Sequence, residues 1–167
     1  VLNPEVLKPK STFEIVDTDI GPNGVFQWTT KNETAQLDYI VEQFRWNKWV
    51  KVGEVKGKGT PGTHEYQFKV TPHSGENKVR VKQLDFTGKP RYSTAATFQS
   101  DKDPVSIDGD KFKNQISFIG GESQYELYDK YGTIIKRGYS ESIDVSKLEK
   151  GTYYLSFDNK TETIRIR

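Results

Sequence analysis

Along most of the chain, apolar and polar positions alternate one for one. Phe13 and Ile15 flank Glu14, and Phe26 and Trp28 flank Gln27. Leu37, Tyr39 and Val41 are set against Asp38 and Glu42, and Val79 and Val81 against Arg80 and Lys82. A period of two puts one set of side chains on a buried face and the other in water, so each run predicts a β-strand. His64 to Val70 gives another such run, with Tyr66 and Phe68 or the alternate set facing inward, and the stretches from Trp49 to Val55 and from Tyr92 to Phe98 complete the front part. Turn chemistry stands between the runs: Gly21-Pro22-Asn23-Gly24, the Gly57, Gly59, Pro61, Gly62 stretch, and Asp85-Phe86-Thr87-Gly88. Residues 1–10 carry Pro4 and Pro9 without any period and read as a lead-in or linker.

About seven strands at intervals of roughly 8 to 15 residues predict an antiparallel two-sheet sandwich over residues 11–100. The immunoglobulin and fibronectin type III folds are of this kind. Residues 100–110 then turn polar, with Asp101, Asp103, Pro104, Asp108 and Asp110, and mark a boundary. Beyond it the alternation returns. Ile116 and Phe118 flank Ser117, Tyr125 and Leu127 flank Glu126, and Tyr153, Leu155 and Phe157 share a face. Asp129-Lys130-Tyr131-Gly132 is a second turn of the Asp-x-x-Gly type, and Ser146–Lys150 allows one helical turn at most. The last residues, Thr163 to Arg167, alternate to the end, so a paired terminal strand is expected. The fold class is all-β: two consecutive immunoglobulin-like or fibronectin-type-III-like sandwiches, at 11–100 and 101–167.

Composition agrees with thin sandwiches. Only 33% of the 167 residues are hydrophobic, but nine Tyr, nine Phe and three Trp fill small cores efficiently. There is no cysteine, which excludes disulfides, thiol catalysis and thiolate-bound zinc. The 25 basic and 23 acidic residues are interspersed and leave a net charge of +2, so nothing steers the chain to nucleic acid. No apolar run approaches the length of a membrane span. A start at Val1, with no signal peptide, reads as a mature or trimmed terminus.

Candidate chemistry is sparse. His64 and His73 lie in no H-E-x-x-H, G-x-S-x-G or phosphate-loop pattern and read as exposed polar side chains, so the chain reads as non-catalytic and without a cofactor. Asp101, Asp103, Asp108 and Asp110 offer oxygen ligands of the kind calcium takes, yet lack EF-hand spacing; an ordinary solvated connector has the same composition. Trp46, next to Asn47 in a hairpin, is the candidate exposed platform for a sugar ring, whereas Trp28 and Trp49 read as core residues. Lys48, Lys51, Lys56 and Lys58 read as a solvated edge.

The order of motifs in the rear part adds a family. Tyr128-Asp129-Lys130-Tyr131-Gly132, then Ile143-Asp144-Val145-Ser146-Lys147-Leu148, then Gly151-Thr152-Tyr153-Tyr154-Leu155 and a terminal strand resembles the type A C-terminal sorting domain of the bacterial type IX secretion system. The resemblance covers roughly residues 104–167; where that family opens with a Tyr-Pro-Asn-Pro-like element, this chain has Asp103-Pro104-Val105. The front part, with Phe26-Gln27-Trp28, Tyr39–Glu42, Val52–Gly57 and Lys78–Lys89 in that order, resembles the fibronectin-type-III-like modules of secreted Bacteroidota proteins.

These resemblances imply a secreted or cell-surface cargo carried through the periplasm and across the outer membrane. Its partners would be the type IX translocon and shuttle proteins. They also imply cleavage near the start of the tail, within 100–110. A signal read after folding must be a surface. The residues expected to present it are Asp129, Gly132, Asp144, Leu148, Gly151, Tyr153, Ile164, Ile166 and Arg167. The competing roles are an adhesion or carbohydrate-binding module with a polysaccharide partner, and a spacer of a larger hydrolase.

Overall fold

A computed structural model describes residues 13–167; the lead-in expected over 1–10 lies outside them. The described residues contain strands and turns and no helix. The chain divides into two compact units. The first extends to Pro72 and resumes over Glu76–Gln99; the second comprises His73–Gly75 and Ser100–Arg167.

In the first unit, β1 (Glu14–Ile20), β2 (Val25–Lys31) and β5 (Thr63–Lys69) form one sheet in the order β1-β2-β5. The other sheet runs β4 (Lys48–Val55), β3 (Tyr39–Arg45), β6 (Gly75–Leu84), β7 (Pro90–Tyr92), and β8 (Ala96–Ser100) also pairs with β6. The core is mostly rings. Trp28 stacks on Phe26 at 5.3 Å and on Tyr66 at 5.4 Å, and Tyr39 meets it edge-on at 5.8 Å. Val41, Val79 and Val81 close the opposite side.

Two bulges decide which faces are buried. In β1 the register slips between Ile15 and Asp17, so Val16 is extruded and the inward parity changes from Phe13 and Ile15 to Ile20. In β4 the slip falls opposite Val41 and Glu42. One extra residue turns the start of the strand over. Trp49 therefore pairs with Phe44, on the side away from Tyr39 and Val41, and not on the core face expected for it. Gly53 sits in this irregular stretch because the Phe68 ring occupies the space a Cβ would need, 2.3 Å away. The single strand expected from Tyr92 to Phe98 is two, β7 and β8. Between them the Ser93 hydroxyl accepts the Val81 N–H in place of a backbone carbonyl.

Glu33 is buried inside this unit. Its carboxylate accepts hydrogen bonds from the hydroxyls of Thr30 (2.7 Å), Tyr39 (2.8 Å) and Tyr66 (2.6 Å) and from the Gly59 N–H (2.7 Å). Burial alone would push the carboxyl up; the Tyr66 bond, with the other three, outweighs it and holds the pKa below its ordinary value. Burial and the facing carboxylate push the Tyr66 phenol up to about 12.

The second unit is a smaller sandwich. One sheet runs β10 (Lys111–Phe112), β16 (Lys160–Ile166), β15 (Gly151–Phe157), β12 (Ser123–Tyr128), β13 (Ile134–Ser140); the other runs β14 (Ser142–Asp144), β11 (Gln115–Ile119), β9 (Ser106–Ile107). Its own core gathers Ile116, Leu127, Ile143, Leu155, Phe157 and Ile164 among others. The terminal strand is paired on both sides, antiparallel to β15 and parallel to β10. Asp158, at φ 48°, is buried and accepts the Ser74 N–H at 2.8 Å, the Ser74 hydroxyl, and the Val105 N–H at 3.3 Å. His73 is buried too, its Nδ1 2.7 Å from the Ser74 carbonyl, where an exposed side chain was expected; His64 is half-buried, its Nε2 bonded to Thr60.

Candidate functional site

The residues expected to present a signal fall into two groups. The first builds turns. Asp129 Oδ1 accepts the N–H groups of Tyr131 and Thr133, each at 2.9 Å, and the Asp129 carbonyl accepts the Gly132 N–H at 3.1 Å. Gly132, at φ 81°, takes the left-handed conformation that closes the loop. Asp144 Oδ1 accepts the hydroxyl (2.6 Å) and N–H (2.9 Å) of Ser146, and these bonds hold its carboxyl below the usual range. The Asp144 carbonyl accepts Lys136 Nζ at 2.6 Å. The following turn is short: Leu148 N–H donates to the Val145 carbonyl at 3.1 Å, and Leu148 packs against the core.

The second group is buried. Ile164, Ile166 and Tyr153 face the core, and the Tyr153 hydroxyl donates to the Glu149 carbonyl at 2.8 Å. Inward orientation follows from parity: alternate residues of β15 and β16 must face the core if the terminal strand is to be held. These three support the end of the sandwich, and Tyr153 and Ile166 also border its surface depressions.

The outer surface at that end is completed by other side chains. Asp129, Leu148, Gly151 and Tyr153 line one depression of about 340 Å³, together with Tyr131 and Ile135. A second, of about 480 Å³, is lined by Gly151, Ile166 and Arg167 with Lys111, Lys150 and Arg165. Lys150 and Gly151 belong to both, so the two run together. Gly132 and Asp144 line neither. Lys111, Lys150 and Arg165 carry no motif that singles them out in the sequence. The outward parity of 165 was legible, but the parallel pairing that sets Lys111 beside Arg165 was not.

The sugar-platform candidate is placed differently. Trp46 and Asn47, at φ 53° and 60°, are the two central residues of a type I′ hairpin turn. Trp46 is half-buried, with the Arg45 guanidinium 5.6 Å from its ring. On the outer side of the same sheet, Arg80 lies 4.1 Å from each of Trp49 and Tyr92, and its Nε donates to Glu42 at 2.9 Å. Asp101, Asp103, Asp108 and Asp110 are all exposed, and among the described residues no three acidic or histidine side chains gather as a metal would require.

The fold thus defines a class: antiparallel β-sandwich modules, the rear one closed around its own core. Residues 102–167 match the family model of the secretion system C-terminal sorting domain. The chain carries a tail that marks secreted cargo for type IX export, across the outer membrane to the cell surface or beyond. No curated protein matches the chain. Among solved structures, the FN1–FN3 domains of chicken CNTN1 are 17% identical, with 96% of this chain and 68% of that one covered at a TM-score of 0.33. The fibronectin(III)-like modules of Clostridium thermocellum CbhA are 11% identical, with 93% of each chain covered at a TM-score of 0.31. Likeness at this level says nothing of ligands or partners. No helix among the described residues is long and apolar enough to cross a membrane.

Proposed function

We propose that this chain is a non-catalytic secreted cargo, or the last part of one, whose rear sandwich is read as a folded surface by the type IX translocon and its shuttle proteins. The observation that carries the reading is the match of residues 102–167 to a sorting-domain family over a stretch that packs around its own core. The non-catalytic reading is supported by both histidines, which are tied to neighbouring Thr60 and Ser74 groups. Cleavage falls ahead of Val105. Val105 is buried and its N–H is held by Asp158, whereas Asp101, Asp103 and Pro104 are exposed. For the front unit we propose an accessory surface or spacer role.

The test is localisation in a type IX-competent host. The full chain is expected outside the cell, its tail removed between residues 100 and 105. Removing residues 161–167 strips β16 from the sheet and is expected to leave the cargo in the periplasm. Unimpaired export of a chain lacking residues 102–167 overturns the reading.

A further inference from the structure

The rear unit carries a set of charges that its fold does not use. Lys111 and Arg165 are direct partners in the β10–β16 register. Like charges placed opposite each other weaken a sheet. Lys150 and Arg167 join them around one depression of about 480 Å³, and all four side chains are exposed. The ion pairs seen within this unit, Arg137 with Glu126 and Lys160 with Glu162, involve none of the four. Gly151 contributes no side chain, and a Cβ added there would meet nothing within 4 Å, so the notch between the cations stays open. A fold gains nothing from gathering four cations at one notch; an anionic partner does.

The adjoining depression differs in character. It shares Lys150 and Gly151 with the first and has Lys130, Lys147 and Glu149 along it, but Leu148 and Tyr153, with Ile135 and Tyr131, also give it apolar lining, Tyr131 being 80% exposed. Of its two acids, Asp129 and Glu149, the first has a carboxylate oxygen engaged in its own turn, and the lysines Lys130, Lys147 and Lys150 outnumber them. A free phosphate would leave the apolar lining of Leu148, Ile135 and Tyr131 unused. A lipid surface is flat and would meet protruding cations, not a notch. An extended peptide that places carboxylates in one half and an apolar side chain in the other matches both.

We propose that this double groove is the docking site for an acidic, apolar-punctuated peptide segment of a protein partner. Lys111, Lys150, Arg165 and Arg167 take the carboxylates, and Leu148, Ile135 and Tyr131 take the apolar anchor. The inference rests on the reading of the tail as an export signal and names the chemistry of what reads it.

The experiment uses the full chain and a short fluorescein-labelled peptide in which glutamates alternate with leucines, diluted with serine; a glutamine-for-glutamate peptide is the control. Binding is followed by anisotropy. The glutamate peptide binds and the glutamine peptide does not, and added salt weakens the binding steeply. R165E/R167E lowers affinity about tenfold or more, and the neutral pair R165Q/R167Q falls between. Ile135→Ser with Tyr131→Ser lowers it about threefold, with thermal melts of all variants near the parent. Equal binding of the glutamine peptide, or unchanged affinity in R165E/R167E, overturns the proposal. So does displacement by inorganic phosphate or by anionic phospholipid vesicles at concentrations matching the peptide. In cells, normal export of R165E/R167E overturns the groove as docking site and leaves the sorting function standing. Normal export without residues 102–167 removes the sorting function itself.

Discussion

The two units use the same turn to different ends. Asp85-Phe86-Thr87-Gly88 in the front unit and Asp129-Lys130-Tyr131-Gly132 in the rear unit are built alike. In each, the aspartate Oδ1 accepts two N–H groups of the loop, at 2.8–2.9 Å, and the glycine adopts a φ near 80°. Each carries an exposed ring at its tip, Phe86 or Tyr131. The aspartate and glycine are therefore hairpin chemistry, and what sets the rear turn apart is what lies beside it: the groove with its cations. Outward charge also differs. In the front unit Arg80 is enclosed by Trp49, Tyr92 and Glu42, whereas Arg165 and Arg167 in the rear unit face an open notch.

The sharpest way to break the comparison is to remove one core and watch the other. Phe157 is fully buried and packs on Phe118 at 5.4 Å. Phe157→Ala is expected to cost the rear unit about 3–5 kcal/mol in urea unfolding and to abolish export. A variant that unfolds the rear unit yet is still exported would mean the signal is linear.

Glu33→Gln is the matching test of the front unit. It leaves donors from Tyr39, Tyr66 and Gly59 without their charged acceptor, and a loss of about 3 kcal/mol is expected. The parent should also respond to acid. Because the folded pKa of Glu33 is lowered, its contribution is present above the unfolded glutamate pKa and disappears as pH falls through the folded value. At the other extreme Tyr66, raised to about 12, favours the folded state below the ordinary tyrosine pKa, and that contribution fades as pH rises through the folded value. Glu33→Gln should flatten the acid limb; an unchanged acid limb would assign it to other carboxylates.

The smallest effects sharpen the turn comparison. Gly88→Ala and Gly132→Ala meet no atom within 4 Å, so each pays only for positive φ. Both are expected to cost about 1 kcal/mol in their own unit. Export should follow stability in both. A loss of export in Gly132→Ala beyond what its melt explains would make that turn a direct contact.

Much of this architecture follows from the order of residues alone. Period-two alternation placed Phe26, Trp28, Val79, Val81, Ile116, Leu155 and Phe157 on buried faces, because a strand has two sides and water sorts them. The Asp-x-x-Gly turns were equally legible, since their hydrogen bonds are local. The motif order of the rear part carried the sorting-domain resemblance. Tertiary structure decided the rest. Single-residue bulges in β1 and β4 changed parity and moved Trp49 to the outer side, and no local pattern announces an insertion that exists only relative to a partner strand. The burial of Glu33 and Asp158 depends on donors distant in sequence. The cationic groove arises because a two-residue parallel pairing sets Lys111 beside Arg165. Alternation sorts the sides of an unbroken strand, because its period is two; only the fold sets where that period slips and brings residues so far apart in the chain to one notch.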